Sequence, residues 1–329
     1  MYRQPEIWIE DICYEPEHIQ KVLKEIQKNF NKYFSDFVDT TAGTTLSVAD
    51  FEKLQQSVGL AGRVTRSKRK NDLSGKFQTI IAAAIDDFER DREKYIALLD
   101  KQGLKEEGTD IASFKSKTLK FECPIINSTL FNKQAKELDK YRKAFSVASA
   151  KELYTVVCNL RNFAEEYSEN ECVRDSYDDI SSYEELGMGQ MDTDECTVYG
   201  VIGGGIKSHL LYKLYPGLFP NRSRSAIWAM WYLTDKKVFG CDMDSEFLMI
   251  DVEKSITQQN YNYPYELFAY YAFEIYKLLK AKASELNADI SDEYRYVVVN
   301  AFLSFVADQH DDEIALFKAQ IRDGGVGYA

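Results

Sequence analysis

Residues 76–101 read KFQTIIAAAIDDFERDREKYIALLDK. Helix formers fill this run and neither Pro nor Gly interrupts it, which predicts one long α-helix ended by Gly103. Upstream, from Pro16 to Val38, the apolar residues Ile19, Val22, Leu23, Ile26, Phe30, Tyr33, Phe34 and Phe37 recur at helical spacing between charged positions. That is an amphipathic helix whose stripe requires a partner. A polar loop follows, then a helix from about Ser47, whose hydroxyl can cap it, to about Ser57, stopped by Gly59 and Gly62. Downstream, Gly108 to Cys123 sets Lys115, Lys117 and Lys120 between apolar or hydroxylated residues, a pattern open to either a short strand or an exposed loop. Helical patterns resume over 129–145, 150–168, 264–287, 291–308 and 311–322, ahead of a GGVGYA tail expected to fray. Only the stretch near 236–252 has the character of a small β hairpin, and no internal repeat is present. The fold class expected is therefore mainly α.

With 329 residues, 45% of them hydrophobic and 29% charged, the chain can bury a core without staples. Six Pro and 17 Gly exclude collagen-like and low-complexity classes. The longest uncharged stretch, Tyr296–Ala307, is 12 residues, short of the roughly 20 that a membrane helix requires. Glu6, Glu10 and Asp11 stand where a secretory signal would be basic and apolar, so a cytoplasmic location is expected. The six Cys (13, 123, 158, 172, 196 and 241) form no CxxC pair and no zinc-ligand spacing, and read as reduced, packed thiols.

The net charge is −12, and its distribution is uneven. Residues 51–150 carry 20 basic and 14 acidic side chains, whereas 151–200 carry 3 and 13. Within 165–195 there are 12 Asp or Glu and one basic residue, Arg174. This block reads as a linker at 169–195 between a helical domain at 1–168 and a second at 196–329. An acidic total argues against a basic footprint over the whole surface and leaves room for a local phosphate-binding one.

Residues 201–211, VIGGGIKSHLL, set three glycines before a helical pattern. Glycines there let the backbone turn with φ > 0 and expose N–H groups at a helix N-terminus, a geometry suited to anions. The run Gly203-x-Gly205-Ile206-Lys207-Ser208, followed by Tyr215-Pro216-x-x-Phe219-Pro220, resembles the helix-hairpin-helix segment of the DNA-glycosylase family. The resemblance covers about 30 of the 329 residues. It implies that hairpin amides, with Lys207 and Ser208, hold a DNA phosphate, often together with a cation. The family's catalytic Asp follows shortly after the Phe-Pro pair; here Arg222 stands at that place, and no Cys cluster follows for an iron–sulfur group. What the resemblance implies is thus a phosphate grip without base excision, to which Arg222 and Arg224 add guanidinium forks.

Other stretches carry chemistry with a plainer reading beside it. Arg63, Arg66, Lys68, Arg69 and Lys70 form a basic arm in a glycine-flanked loop, either a phosphate-binding element or a solvated loop docked on the acidic stretch. Asp242, Asp244, Glu246 and Asp251 could hold a divalent cation as in metal-dependent nucleases, yet Val252 stands two before Lys254 where those patterns place a carboxylate. The eight aromatics from Tyr261 to Tyr276 suit base stacking or, at helical spacing, a core stripe. His310 lies among Asp308, Asp311, Asp312 and Glu313, where a loose metal site or a polar helix junction fits; His209 follows Ser208, and His18 has no evident partner.

The leading expectation is a nucleic-acid-binding protein, DNA first, using Gly203, Gly205, Lys207, Ser208, Arg222 and Arg224. The alternatives are a protein-interaction or scaffold role and, third, a metal-dependent nuclease. No catalytic residue, resident metal or cofactor is assigned, and no membrane partner is expected.

Overall fold

The apolar stripe read at Ile19, Val22, Ile26, Phe30 and Phe37 is buried along one helix, α1 (Pro16–Thr45). Its partners come from distant sequence. Phe30 and Phe37 meet the ring of Phe302 at 5.3 and 5.5 Å, and Phe34 meets Phe77 edge-on at 5.3 Å. Contacts of this kind contribute about 0.5–1.5 kcal/mol per pair beyond area burial. The computed structural model describes residues 12–45, 66–135, 138–170, 176–239, 246–251, 256–260 and 263–324. Over these the chain is mainly helical, as the sequence patterns predict. The expected helix at Ser47–Ser57 lies outside the described residues, as does the tail from 325.

The run 76–101 is two helices, not one: α2 (Arg66–Glu89) and α3 (Arg92–Leu98). The break at Arg90–Asp91 has a tertiary cause, since Asp91 Oδ1 accepts from Lys213 Nζ at 2.5 Å and Arg92 donates to the carbonyls of Lys213 and Leu214. Gly103 is no terminator either. It lies inside α4 (Lys101–Glu107), and its N–H donates to the capping Asp100 carboxylate at 2.8 Å.

Residues 108–123, read as strand or loop, are helical. A turn at Ile111–Ser113 leads into a π-helix, Phe114–Glu122. Burial of Phe114, Thr118, Leu119 and Cys123 follows a pitch of four to five residues, and Cys123 N donates to Thr118 O at 3.0 Å, a five-residue step. The expected helix 129–145 is likewise two, α5 (Pro124–Phe131) and α6 (Asp139–Val147). Next comes α7 (Ala150–Glu169), capped by Ser149.

After α7, the described part of the stretch expected as an acidic linker, from 176, is packed. Tyr177, Ile180, Leu186, Met188 and Met191 are buried while Asp178, Asp179, Glu184 and Glu185 stay exposed. One hydrophobic cluster takes side chains from before and after 169–195, from Cys13 to Ile314. At its centre lies α9 (Arg224–Leu233), preceded by α8 (Gly204–Leu214); every side chain of α9 from Ala226 to Leu233 is buried. A helix apolar all round belongs in a core.

Two short strands, β1 (Leu248–Asp251) and β2 (Ile256–Gln259), pair antiparallel with Leu248 opposite Gln259, later in the chain than the expected 236–252. Three helices close the fold: α10 (Tyr265–Leu286), α11 (Arg295–Asp308) and α12 (Asp311–Gly324). Asn287, at φ 57°, ends α10 in a left-handed cap. Among the described residues, no helix is long and apolar enough to cross a membrane.

Candidate functional site

The residues expected to grip phosphate sit on and around α8, and three of the six are buried. Gly203 is the N-cap of α8, with φ −97° and ψ −172°. None of Gly203, Gly204 and Gly205 has the positive φ expected of them; that conformation falls at Gly200, φ 76°, in a tight turn closed by the Val198–Ile202 bridge. Ahead of this turn stand two short 3-10 turns, Gly189–Asp192 and Asp194–Cys196, where a hairpin motif would carry its first helix.

Lys207 is buried, with Nζ donating to Met191 O and, at 3.0 Å, to Thr197 Oγ1. Burial pushes its pKa down, against a smaller pull upward from Asp192. Ser208 is wholly buried; its Oγ donates to Gly205 O at 3.1 Å and accepts the N–H of Arg222 at 3.0 Å. Arg222 is also buried, and Nη2 donates to Asn260 O at 2.7 Å. Of the six expected contacts, Gly205 and Arg224 are exposed, Arg224 at the first position of α9 behind its Ser223 cap. The structure thus brings Lys207, Ser208 and Arg222 together as buried side chains bonded to groups of their own chain.

The remaining candidates form no common site among the described residues. Arg63 lies outside the described residues, and Arg66, Lys68, Arg69 and Lys70 open α2 as helix rather than loop. Asp242 and Asp244 lie outside the described residues, while Asp251 ends β1. Glu246 is buried, its Oε1 bonded to His18 Nε2. Among the described residues no three His, Cys, Asp or Glu side chains converge as a metal would require. Of the eight aromatics, Tyr261 lies outside the described residues and the other seven, from Tyr263 to Tyr276, are core: all seven are buried, and Tyr265, Tyr270 and Tyr276 turn their hydroxyls to Pro220 O, Ser181 O and Asp292. His310 stacks on Tyr232 at 3.7 Å and meets the Tyr33 hydroxyl, a polar helix junction. His209 contacts Tyr95 OH through Nε2 at 3.1 Å, and burial pushes it down to about 4, with Lys213 adding to the effect.

A different surface is open. Between α3, α4, the π-helix and α5 lies a groove of about 870 Å³, lined in part by Lys94, Glu106, Glu107, Asp110, Phe121 and Glu122. Phe121, near the end of the π-helix, is 56% exposed, and its ring stacks on Phe131 of α5, itself 45% exposed, with centroids 5.7 Å apart and planes at 25°. Glu107 Oε1 accepts from Thr118 Oγ1 at 2.7 Å, and Asp110 Oδ1 caps Ser113 N at 3.1 Å, so the floor is tied to the scaffold. None of these side chains stands out in the sequence as a site. The one signal is that Phe121 sits between Lys120 and Glu122, an aromatic among charges at a position the helical period alone does not place.

No protein-family model matches this sequence, and neither a curated protein nor a solved structure matches the chain.

Proposed function

We propose that this chain is a protein-interaction module that binds partners through the groove between α3 and α5. The observation that carries this reading is the exposed Phe121–Phe131 stack beside an open cavity of about 870 Å³. Each square ångström of apolar surface withdrawn from water contributes about 25 cal/mol, and aromatic side chains are enriched at the centres of interfaces. Two large rings held together in solvent therefore offer binding energy that the fold leaves unspent. The phosphate-gripping alternative would have to work with side chains already committed inside, since Lys207, Ser208 and Arg222 each hold backbone groups of their own chain.

The test is photocrosslinking from a benzoylphenylalanine placed at Phe131 in the host cell, with the same group at exposed Lys24 of α1 as control. A discrete protein adduct from position 131, missing from position 24 and lost in a Phe121→Ser background, is the expected result. Equal adducts at both positions, or adducts to nucleic acid alone, would overturn the reading.

A further inference from the structure

The charge on the groove lining is one-sided: Glu106, Glu107, Asp110 and Glu122 supply four carboxylates against the single ammonium of Lys94. A phosphorylated or acidic partner would meet repulsion there. The apolar component is confined to one place, the Phe121 ring and its Phe131 neighbour, with Ala97, Leu98 and Pro124 as walls. The Phe121 face already holds one cation, since Lys120 Nζ lies 5.1 Å from its centroid. An aromatic platform with carboxylates on its rim is complementary to a segment that combines cations with one ring. Arginine fits it better than lysine, because its planar fork pairs with a carboxylate in two bonds and stacks on aromatic faces. The volume falls within the range of pockets that enclose small ligands or a few side chains.

Resting on the interaction reading above, we infer that the groove takes a short arginine-rich segment of another protein, with one aromatic side chain on Phe121 and Phe131 and guanidinium groups on Glu106, Asp110 and Glu122. Glu106, Glu107 and Asp110 each already accept one bond, from Gln102 Nε2, Thr118 Oγ1 and the Ser113 N–H, and Glu107 is the least exposed of the three.

The test is fluorescence anisotropy of labelled GRRGWGRR titrated with the full chain at about 50 and 200 mM salt, beside GEEGWGEE and GRRGAGRR. The expected result is binding of the first peptide, weaker at the higher salt and weakened at least about ten-fold by losing its Trp or by Glu106→Lys with Glu122→Lys. Both glutamates are exposed, and circular dichroism of the double variant checks that the fold is kept. Equal binding of the acidic peptide, binding indifferent to the charge reversal, or no binding of GRRGWGRR overturns the inference. If the Phe131 adduct persists while GRRGWGRR fails, the partner class is wrong and the interaction reading stands; if the adduct is absent as well, both fall.

Discussion

Gly204 and Arg222 are fitted to one another: a Cβ on Gly204 would collide with Nη1 of Arg222, while Nη2 of the same guanidinium holds Asn260 O at 2.7 Å. The glycine run that suggests an anion cradle in the sequence is, at this position, space kept for a cation. The guanidinium lies beside the first turn of α8, where any side chain larger than glycine at position 204 would displace it.

Lys207 is expected to act on stability. Lys207→Met leaves Met191 O without its donor and should cost about 1–3 kcal/mol. Lys207→Glu should cost more, because a carboxylate would face that carbonyl and remain buried. Urea denaturation checks both, and midpoints equal to that of the parent chain would contradict the interior role.

His209 sets a pH dependence whose sign follows from its depressed pKa of about 4. Between the unfolded value near 6.5 and about 4, the unfolded chain binds a proton that the folded chain refuses, so stability falls as pH falls through this window. At pH 4.5 the loss from this group is about 2 kcal/mol relative to pH 7. In His209→Gln the difference in unfolding free energy between pH 7 and pH 4.5 should shrink by that amount. An unchanged difference would remove the assignment.

Two glycines should respond in opposite directions to alanine. At Gly217 an added Cβ would lie 2.5 Å from Asp292 O and 3.1 Å from Glu293 O, both backbone atoms, beside the Arg295 bond to Gly217 O. Gly217→Ala is expected to destabilise by about 1–3 kcal/mol. At Gly103, inside α4, the nearest atom is Asp100 Oδ2 at 3.6 Å, an ordinary contact. Gly103→Ala should gain about 0.5–1 kcal/mol from helix propensity. Thermal melts of the two variants, moving down and up respectively, check the pair.

Phe121→Ser and Phe131→Ser remove exposed rings, and each should change stability by less than about 1.5 kcal/mol. A larger drop in a urea titration would mean that the stack supports the fold instead of facing a partner.

Much of the architecture is legible in the residues. The patterns at 150–168 and 264–287 mark helices with ends correct to a residue or so, and the stripe from Ile19 to Phe37 marks a helix that runs seven residues past Val38 to Thr45, since periodicity acts locally. Three features escape such reading, each for its own reason. The helix break at Asp91 depends on Lys213 and Leu214, and the packing of 177–196 depends on apolar residues scattered singly among carboxylates. The π-helix depends on a four-to-five-residue burial pitch that a 3.6-residue template does not match. The basic and glycine residues around 203–224 follow the order of a phosphate grip, yet the direction of each side chain is set by neighbours such as Met191 and Asn260, which no local pattern names. The groove was illegible for the same reason: its walls come from four elements folded onto each other.

Helix α1 is made long before the last of its packing partners. Phe30 and Phe37 rest on Phe302, Phe37 also on Phe305, and Tyr33 bonds His310, all near the far end of the chain. At about 5–20 residues per second, roughly 15–50 s pass on the ribosome between the emergence of this apolar stripe and that of its partners. Over that interval Phe77 of α2 can cover Phe34 and part of Phe37, while the face that Phe302 and Phe305 will meet stays open. That places a demand on holding chaperones, and it makes truncation near residue 300 far more damaging than loss of a surface tail of equal length.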